Sequence, residues 1–322
     1  MFRRIGEKII KSINVTSTLM ILAIPLLIFA PYFLTDYYLS VLRTVLLWLA
    51  LTISWHFFSG LTKYVSLGSA GFFGLGAYFT AKYLEMSYRG YLPHIPIPLV
   101  ILIGGLINFV LASVIGLVTL RVKSIYFAIL TFGISEMLRN FFQWWEIRIT
   151  GTRGTYLPII FEPSAIYYSI LASALVAIIL TTILRKSKFG LALRMIGECE
   201  EAAVHIGVNA ILFKTLSFGI SAMCIGFVGG CFTTRAAYIN TDIAFDPLFS
   251  FLPAVMTLLG GGQIIYGPVT GSILLSLLEE YLRAMYPHYF LTILGFLFII
   301  IIMFMPNGLI GEIEKIRSKI KK

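Results

Sequence analysis

Long apolar runs separated by short polar intervals set the rhythm of this chain. The runs lie at about 17–34, 38–60, 66–84, 96–119, 124–145, 164–184, 214–236, 248–262, 267–283 and 288–305. Most approach the roughly 20 residues that a helix rising about 1.5 Å per residue needs to cross a hydrocarbon core about 30 Å thick. No period-two alternation runs through them, so they read as helices and not as strands of a barrel. Hydrocarbon offers backbone groups no partner, which makes self-satisfied helices the natural spanning element. The pattern therefore predicts an all-α polytopic membrane protein with about 8–10 transmembrane helices, organised as one membrane domain over residues 1–322.

Composition agrees. The chain is 58% hydrophobic and only 12% charged, about half the charge a soluble domain carries. Its net charge of +10 does not form a basic patch interleaved with aromatics, so nucleic acid is not the implied partner. Most Lys and Arg sit at the ends of apolar runs, as the positive-inside rule places them. Arg3, Arg4, Lys8 and Lys11, then Lys63, Arg121 and Lys123, the interval 185–214 and a basic tail over 306–322 all fall on one side. With an even number of crossings that side is the cytoplasm, and it holds both termini. The first run is interrupted by Pro25 and Pro31 and is followed by no small-residue cleavage site, so it reads as a retained span.

Several chemistries are absent from the sequence. There is no Gly-Lys-Ser or Gly-Lys-Thr to cradle a nucleotide's phosphates, no Gly-x-Ser-x-Gly elbow and no His-Glu-x-x-His pair. Cys199, Cys224 and Cys231 show no metal-ligand spacing. The chain is thus expected to bind no cofactor and to be no enzyme. Intramembrane charge centres on Glu136 and Arg139, whose i,i+3 spacing puts them on one helix face. They form either a buried ion pair that locks helices together or part of a pathway and its gate.

Glycine marks two further segments. Gly68, Gly71, Gly74 and Gly76 recur through the third run, and Gly261, Gly262, Gly267 and Pro268 open the ninth. Small residues let backbones approach closely where lipid removes the usual hydrophobic drive. The alternative is a pair of broken helices lining a path, with a weak internal repeat between the two segments. Two outward polar stretches, 146–163 and 238–247, are longer than a connection needs. Thr150, Gly151, Gly154 and Asp242 there are candidate contacts for an external partner.

The interval 185–214 is the strongest departure from the apolar pattern. Its residues are mostly helix formers, and Gly207 followed by Asn209 gives a stop signal. Leu191, Met195, Ala202 and Ile206 alternate with charge, which suits a short helix lying on the membrane surface or in a partner's groove.

Within it, Glu201-Ala202-Ala203-x-x-x-Gly207 resembles the core of the EAA loop of ABC-import permeases. Over about residues 40–310 the chain also resembles the Liv-type permeases for branched-chain amino acids, in particular their M-type subunit. The matching segments are Ser66–Tyr78, Ser124–Thr131 with Glu136-Met137-Leu138-Arg139, Ser187–Arg194, and Leu259–Gly262 with Tyr266-Gly267-Pro268. The family's outer Thr-Gly-Gly motif stands here as Thr150-Gly151-Thr152. The resemblance implies a multi-pass subunit of the cell's inner membrane with a cytoplasmic coupling helix. Gly197, Glu198, Glu201, Ala202, Ala203 and Gly207 would meet the ATPase. Implied partners are a second Liv-type permease, two ATPases that use ATP and Mg, and an extracytoplasmic amino-acid-binding protein. Related permeases carry ureas, amides, nucleosides or sugars, so another small solute stays open, and so does an ion-coupled secondary carrier.

Overall fold

A computed structural model describes residues 25–151, 153–157, 161–262, 266–304 and 308. After a helical stretch at 25–33 come α1 (Asp36–Thr62), α2 (Ser69–Tyr88), α3 (Ile97–Thr119), α4 (Ser124–Trp145) and α5 (Pro163–Lys186). The polar interval folds as α6 (Lys188–Glu198) and α7 (Glu200–His205). Next are α8 (Ala210–Thr233), α9 (Thr241–Ala244), α10 (Leu248–Gly260), α11 (Tyr266–Met285) and α12 (Phe290–Phe304). The basic termini at 1–24 and 309–322 and Thr152 lie outside the described residues.

Among the described residues five segments are long and apolar enough to cross a bilayer: α1, α3, α5, α8 and the α9–α10 stretch Thr241–Gly260. Helices α2, α4, α11 and α12 occupy the other runs expected from 66 onward, but are shorter or more polar. All-α polytopic architecture is what the pattern predicts and what the chain adopts.

Local rules set the helix starts. Pro98 and Pro163 fall in the first turns of α3 and α5, where a missing N–H costs nothing. Asn209 and Asn240 cap α8 and α9 by accepting from Leu212 N and Ile243 N at 3.2 and 2.8 Å.

Packing inverts the soluble rule. The most apolar of these five, α3, is only 39% buried over its apolar centre, whereas the less apolar α1 is 78% buried. Lipid accepts α3's aliphatic surface. The hydroxyls and imidazole of α1, among them Thr52, Ser54 and His56, must turn inward. Helix α8 runs through the centre against α1, α2, α3 and α5. Its glycines permit this: a side chain on Gly229 would strike the Phe73 carbonyl of α2, and one on Gly76 of α2 would strike the backbone of Gly226. Phe58, Phe72, Phe127 and Phe218 fill the space beside them, with ring centroids 5.1–5.7 Å apart.

The third span is not helical throughout. Lys63, in the left-handed region with φ 59°, ends α1, and residues 63–68 then run as non-helical chain to Gly68, with α2 starting among buried groups. Such backbone is tolerated inside a membrane protein only when other groups satisfy it. Trp55 Nε1 donates to Ser66 O at 2.7 Å. Leu67 N donates to Thr131 Oγ1 at 3.0 Å, and Ala70 N to Ser250 Oγ at 2.9 Å. Three other helices thus hold the start of α2. The span before α11 is also interrupted, at Phe245–Pro247 between α9 and α10.

At the opposite end of the bundle, Thr155–Tyr156 (β1) pairs antiparallel with Tyr238–Ile239 (β2). This two-residue ladder ties the 146–163 connection to the one after α8.

Replacing Ser250 with alanine strands the Ala70 N–H in the interior and should cost about 1–3 kcal/mol. Thermal unfolding in detergent would show a lower midpoint. An unchanged midpoint would mean that the start of α2 is held by other contacts.

Candidate functional site

The site is built on α6 and α7, where the apolar pattern fails. Ser187 N-caps α6, accepting from Gly190 N at 3.4 Å. The inner face of α6, Ala192, Leu193 and Ile196, is buried. Leu193 packs with Phe57 and Leu61 of α1, and Ile196 with Ala203 and Ala210. Cys199 is extended, with φ −156°, and separates the two helices.

Helix α7 ends in a Schellman turn. Gly207 N donates to Val204 O at 2.9 Å and Val208 N to Ala203 O at 3.0 Å, with Gly207 at φ 93°. That angle strains any residue with a Cβ, which is why glycine stands there.

One lysine fixes α7 to the bundle. Lys214 of α8 has a side chain only 2% exposed, and its three donors find three acceptors. Nζ lies 2.6 Å from Glu200 Oε1, 3.1 Å from Leu120 O and 3.2 Å from Tyr64 Oη. It also sits 4.3 Å from the centre of the Tyr64 ring. Tyr64 Oη in turn donates to Glu200 Oε2 at 2.8 Å. A buried ammonium is tolerable only when fully paired. Here the pairing joins α7, α8, the end of α3 and the α1–α2 connection. Burial, and then the Glu200 carboxylate, push the Tyr64 phenol well above its ordinary value near 10. It therefore stays a donor at neutral pH.

The outer face of this anchored segment is bare. Leu191, Glu198, Glu201, Ala202, Val204, His205, Ile206 and Gly207 are exposed. Beside them a cleft of 700 Å³ is walled in part by Arg121, Lys123, Glu201 and His205. The exposed face is a mixed apolar and charged ridge joined to α8 through Lys214.

The sequence-selected residues divide by what they touch. Glu198, Glu201, Ala202 and Gly207 face outward, whereas Ala203 is buried and a side chain on Gly197 would strike the Leu61 carbonyl. Gly68, Gly71, Gly74 and Gly76 pack against Thr131, Ser135, Phe245 and Gly226. Gly261, with φ 99°, ends α10. Gly267 and Pro268 are buried at the start of α11, with Gly267 close against the Gly261 carbonyl and Gly262 just before it.

The Glu136–Arg139 pair needs correction. Their charged atoms approach only to 3.6 Å and each side chain is about one-third exposed. The short contact of Arg139 goes instead to Asp242 Oδ1, at 2.7 Å. Nor is Glu136 the principal acid within the spans, because Glu279 of α11 is buried and bonded to Arg283 at 2.6 Å.

At the far end, Glu146–Thr150 forms a π-helical turn followed by Gly151 at φ 71°. Gly154 N donates to Glu146 Oε1 at 2.8 Å. Gly151 and Gly154 therefore shape the connection, and Asp242 fastens α9 to α4.

Sequence reasoning missed Lys214, Glu200 and Tyr64 as a group. Lys214 resembles an ordinary lysine at the edge of a span. Its partners lie 14 and 150 residues away, so no local spacing reveals them.

Comparison with known proteins adds three findings. Residues 37–302 match the family model described as branched-chain amino acid transport system / permease component. The chain is 24% identical over 283 residues to the high-affinity branched-chain amino acid transport system permease protein LivM of Salmonella typhimurium, and 25% identical to its Escherichia coli namesake. In each case the match covers 78% of this chain and 64% of the relative. No solved structure matches.

Replacing Lys214 with methionine should loosen α7. Losing its charged hydrogen bonds is worth about 1–3 kcal/mol, so amide exchange across 199–208 should rise about tenfold or more while that of the first half of α3, away from Leu120, stays unchanged. In the wild type, protection should persist at neutral pH and fall only as alkali ionises Tyr64 above its ordinary range, since the fold favours the protonated phenol. Equal exchange in variant and wild type would remove Lys214 as the anchor.

Proposed function

The chain belongs to the family of permease components of branched-chain amino acid transport systems, and from that premise we propose that it is a membrane subunit of an ATP-driven importer for such amino acids. The observation that carries the proposal is the exposed outer face of α7, tied through buried Lys214 to the central helix α8.

In this reading the α6–α7 end is cytoplasmic, in keeping with Lys63, Arg121, Lys123, Arg185 and Lys186 around it. Glu201, Ala202 and Val204 dock in a cleft of an ATPase subunit. ATP and Mg belong to that partner. Closure of two such ATPases on nucleotide displaces α7, and the Lys214 contacts pass the displacement to α8. Because α8 packs on α1, α2, α3 and α5, a shift there re-sorts much of the bundle and exchanges access between the two membrane faces. A second permease of the same type completes the pathway, and an extracytoplasmic binding protein delivers the solute to the β1–β2 end. The relatives' name, high-affinity branched-chain amino acid transport system permease protein, supports the choice of solute.

Ala202→Arg places a long cation on the exposed face without touching the bundle. The chain should still reach the membrane and keep its unfolding midpoint. Amino-acid uptake should fall at least about tenfold, the result of losing roughly 1.4 kcal/mol of productive docking. Uptake at the wild-type rate would sink the docking assignment.

A further inference from the structure

A charged cavity lies at the β1–β2 end, away from α7. Its 560 Å³ fall within the roughly 300–1,000 Å³ typical of small-molecule sites. Four carboxylates, Asp242, Asp246, Glu279 and Glu280, line it against two guanidiniums, Arg235 and Arg283. The excess is negative, and one acid is unusually placed. Glu279 has a side chain only 3% exposed. Its Oε1 takes the bond from Arg283, while its buried Oε2 has no hydrogen-bond partner among the described residues.

A buried carboxylate oxygen left without a donor costs more than the bond it forgoes. A donor arriving from outside would relieve that cost. Arg235 lines the same cavity, with Nη1 donating to Thr44 Oγ1 at 3.2 Å and further N–H groups to offer. Part of the wall is apolar: Trp48 and Phe249 also line the cavity, with ring centroids 5.5 Å apart. A bare metal ion has no use for such a wall, and an apolar solute has none for the charges.

We propose that this cavity, between α1, α8, α9–α10 and α11, is a binding site for a zwitterionic amino acid with an apolar side chain. Its α-ammonium is taken by Glu279 Oε2, its carboxylate by Arg235, and its side chain by the Trp48–Phe249 wall. The proposal rests on the reading of the chain as an amino-acid permease and gives that reading a first station for the solute.

The test reads occupancy without relying on transport. Ile243 lines the cavity and is 41% exposed, so Ile243→Cys in a Cys199→Ser background reports access to a maleimide in the assembled transporter in nanodiscs. Leucine should slow labelling roughly tenfold or more, the scale of one or two charged hydrogen bonds. At equal concentration 3-methylbutylamine, without the carboxylate, and 4-methylpentanoate, without the ammonium, should not. Glu279→Gln should abolish protection while leaving the ligand-free labelling rate unchanged; Glu279→Asp should restore part of it. Protection by the amine alone would make this a simple cation site and overturn the proposal. Absence of protection in an assembly that takes up leucine would also overturn it, leaving the functional reading intact. An assembly that takes up no amino acid would overturn both.

Discussion

Nothing in a bilayer's interior will hydrogen-bond to a protein, and most of this structure follows from that deprivation. A span can afford non-helical backbone only where side chains replace the lost hydrogen bonds. The α1–α2 connection meets this condition through Trp55, Thr131 and Ser250, each from a different helix. The same condition governs charge. Lys214 can be buried because Glu200, Leu120 O and Tyr64 account for its three donors. The places where the chain departs from plain helix are therefore the places where distant elements are most firmly joined.

That coupling gives the polar interval its mechanical sense. A loose surface helix would swing without consequence for the bundle. Here α6 is packed on α1 through Leu193, and α7 is held to α8 through Lys214. Helix α8 in turn lies so close to α2 that glycine is required at Gly229 and Gly76. Packed interfaces of this kind deform little and tend to switch between arrangements. In the proposed mechanism these contacts are what would carry a displacement of α7 to the centre of the bundle.

Much of this was legible in the order of residues. Apolar runs located the spans, and the composition change at 185–214 located α6 and α7, with Gly207 marking the stop where the Schellman turn forms. Pairings across the fold were not legible. Residues 66–68 open the third apolar run and read as helix; only the partners that other helices supply, the Trp55 indole and the Thr131 and Ser250 hydroxyls, explain how a non-helical start is held. The i,i+3 spacing of Glu136 and Arg139 suggested a self-contained pair, yet Asp242, 103 residues along, offers Arg139 the shorter contact. Glu279 and Arg283 had a readable i,i+4 spacing, but nothing local distinguished a buried acid from one at a span's end.

The central claim is that the outward face of α7 meets the ATPase. Site-specific photo-crosslinking in the assembled transporter tests it most directly. With the crosslinker at Ala202 or Val204, the adduct should contain the ATPase subunit. With it at Asp242, at the opposite end, the adduct should not. An ATPase adduct from Asp242, or none from either α7 position in an assembly that hydrolyses ATP and transports, would contradict the account.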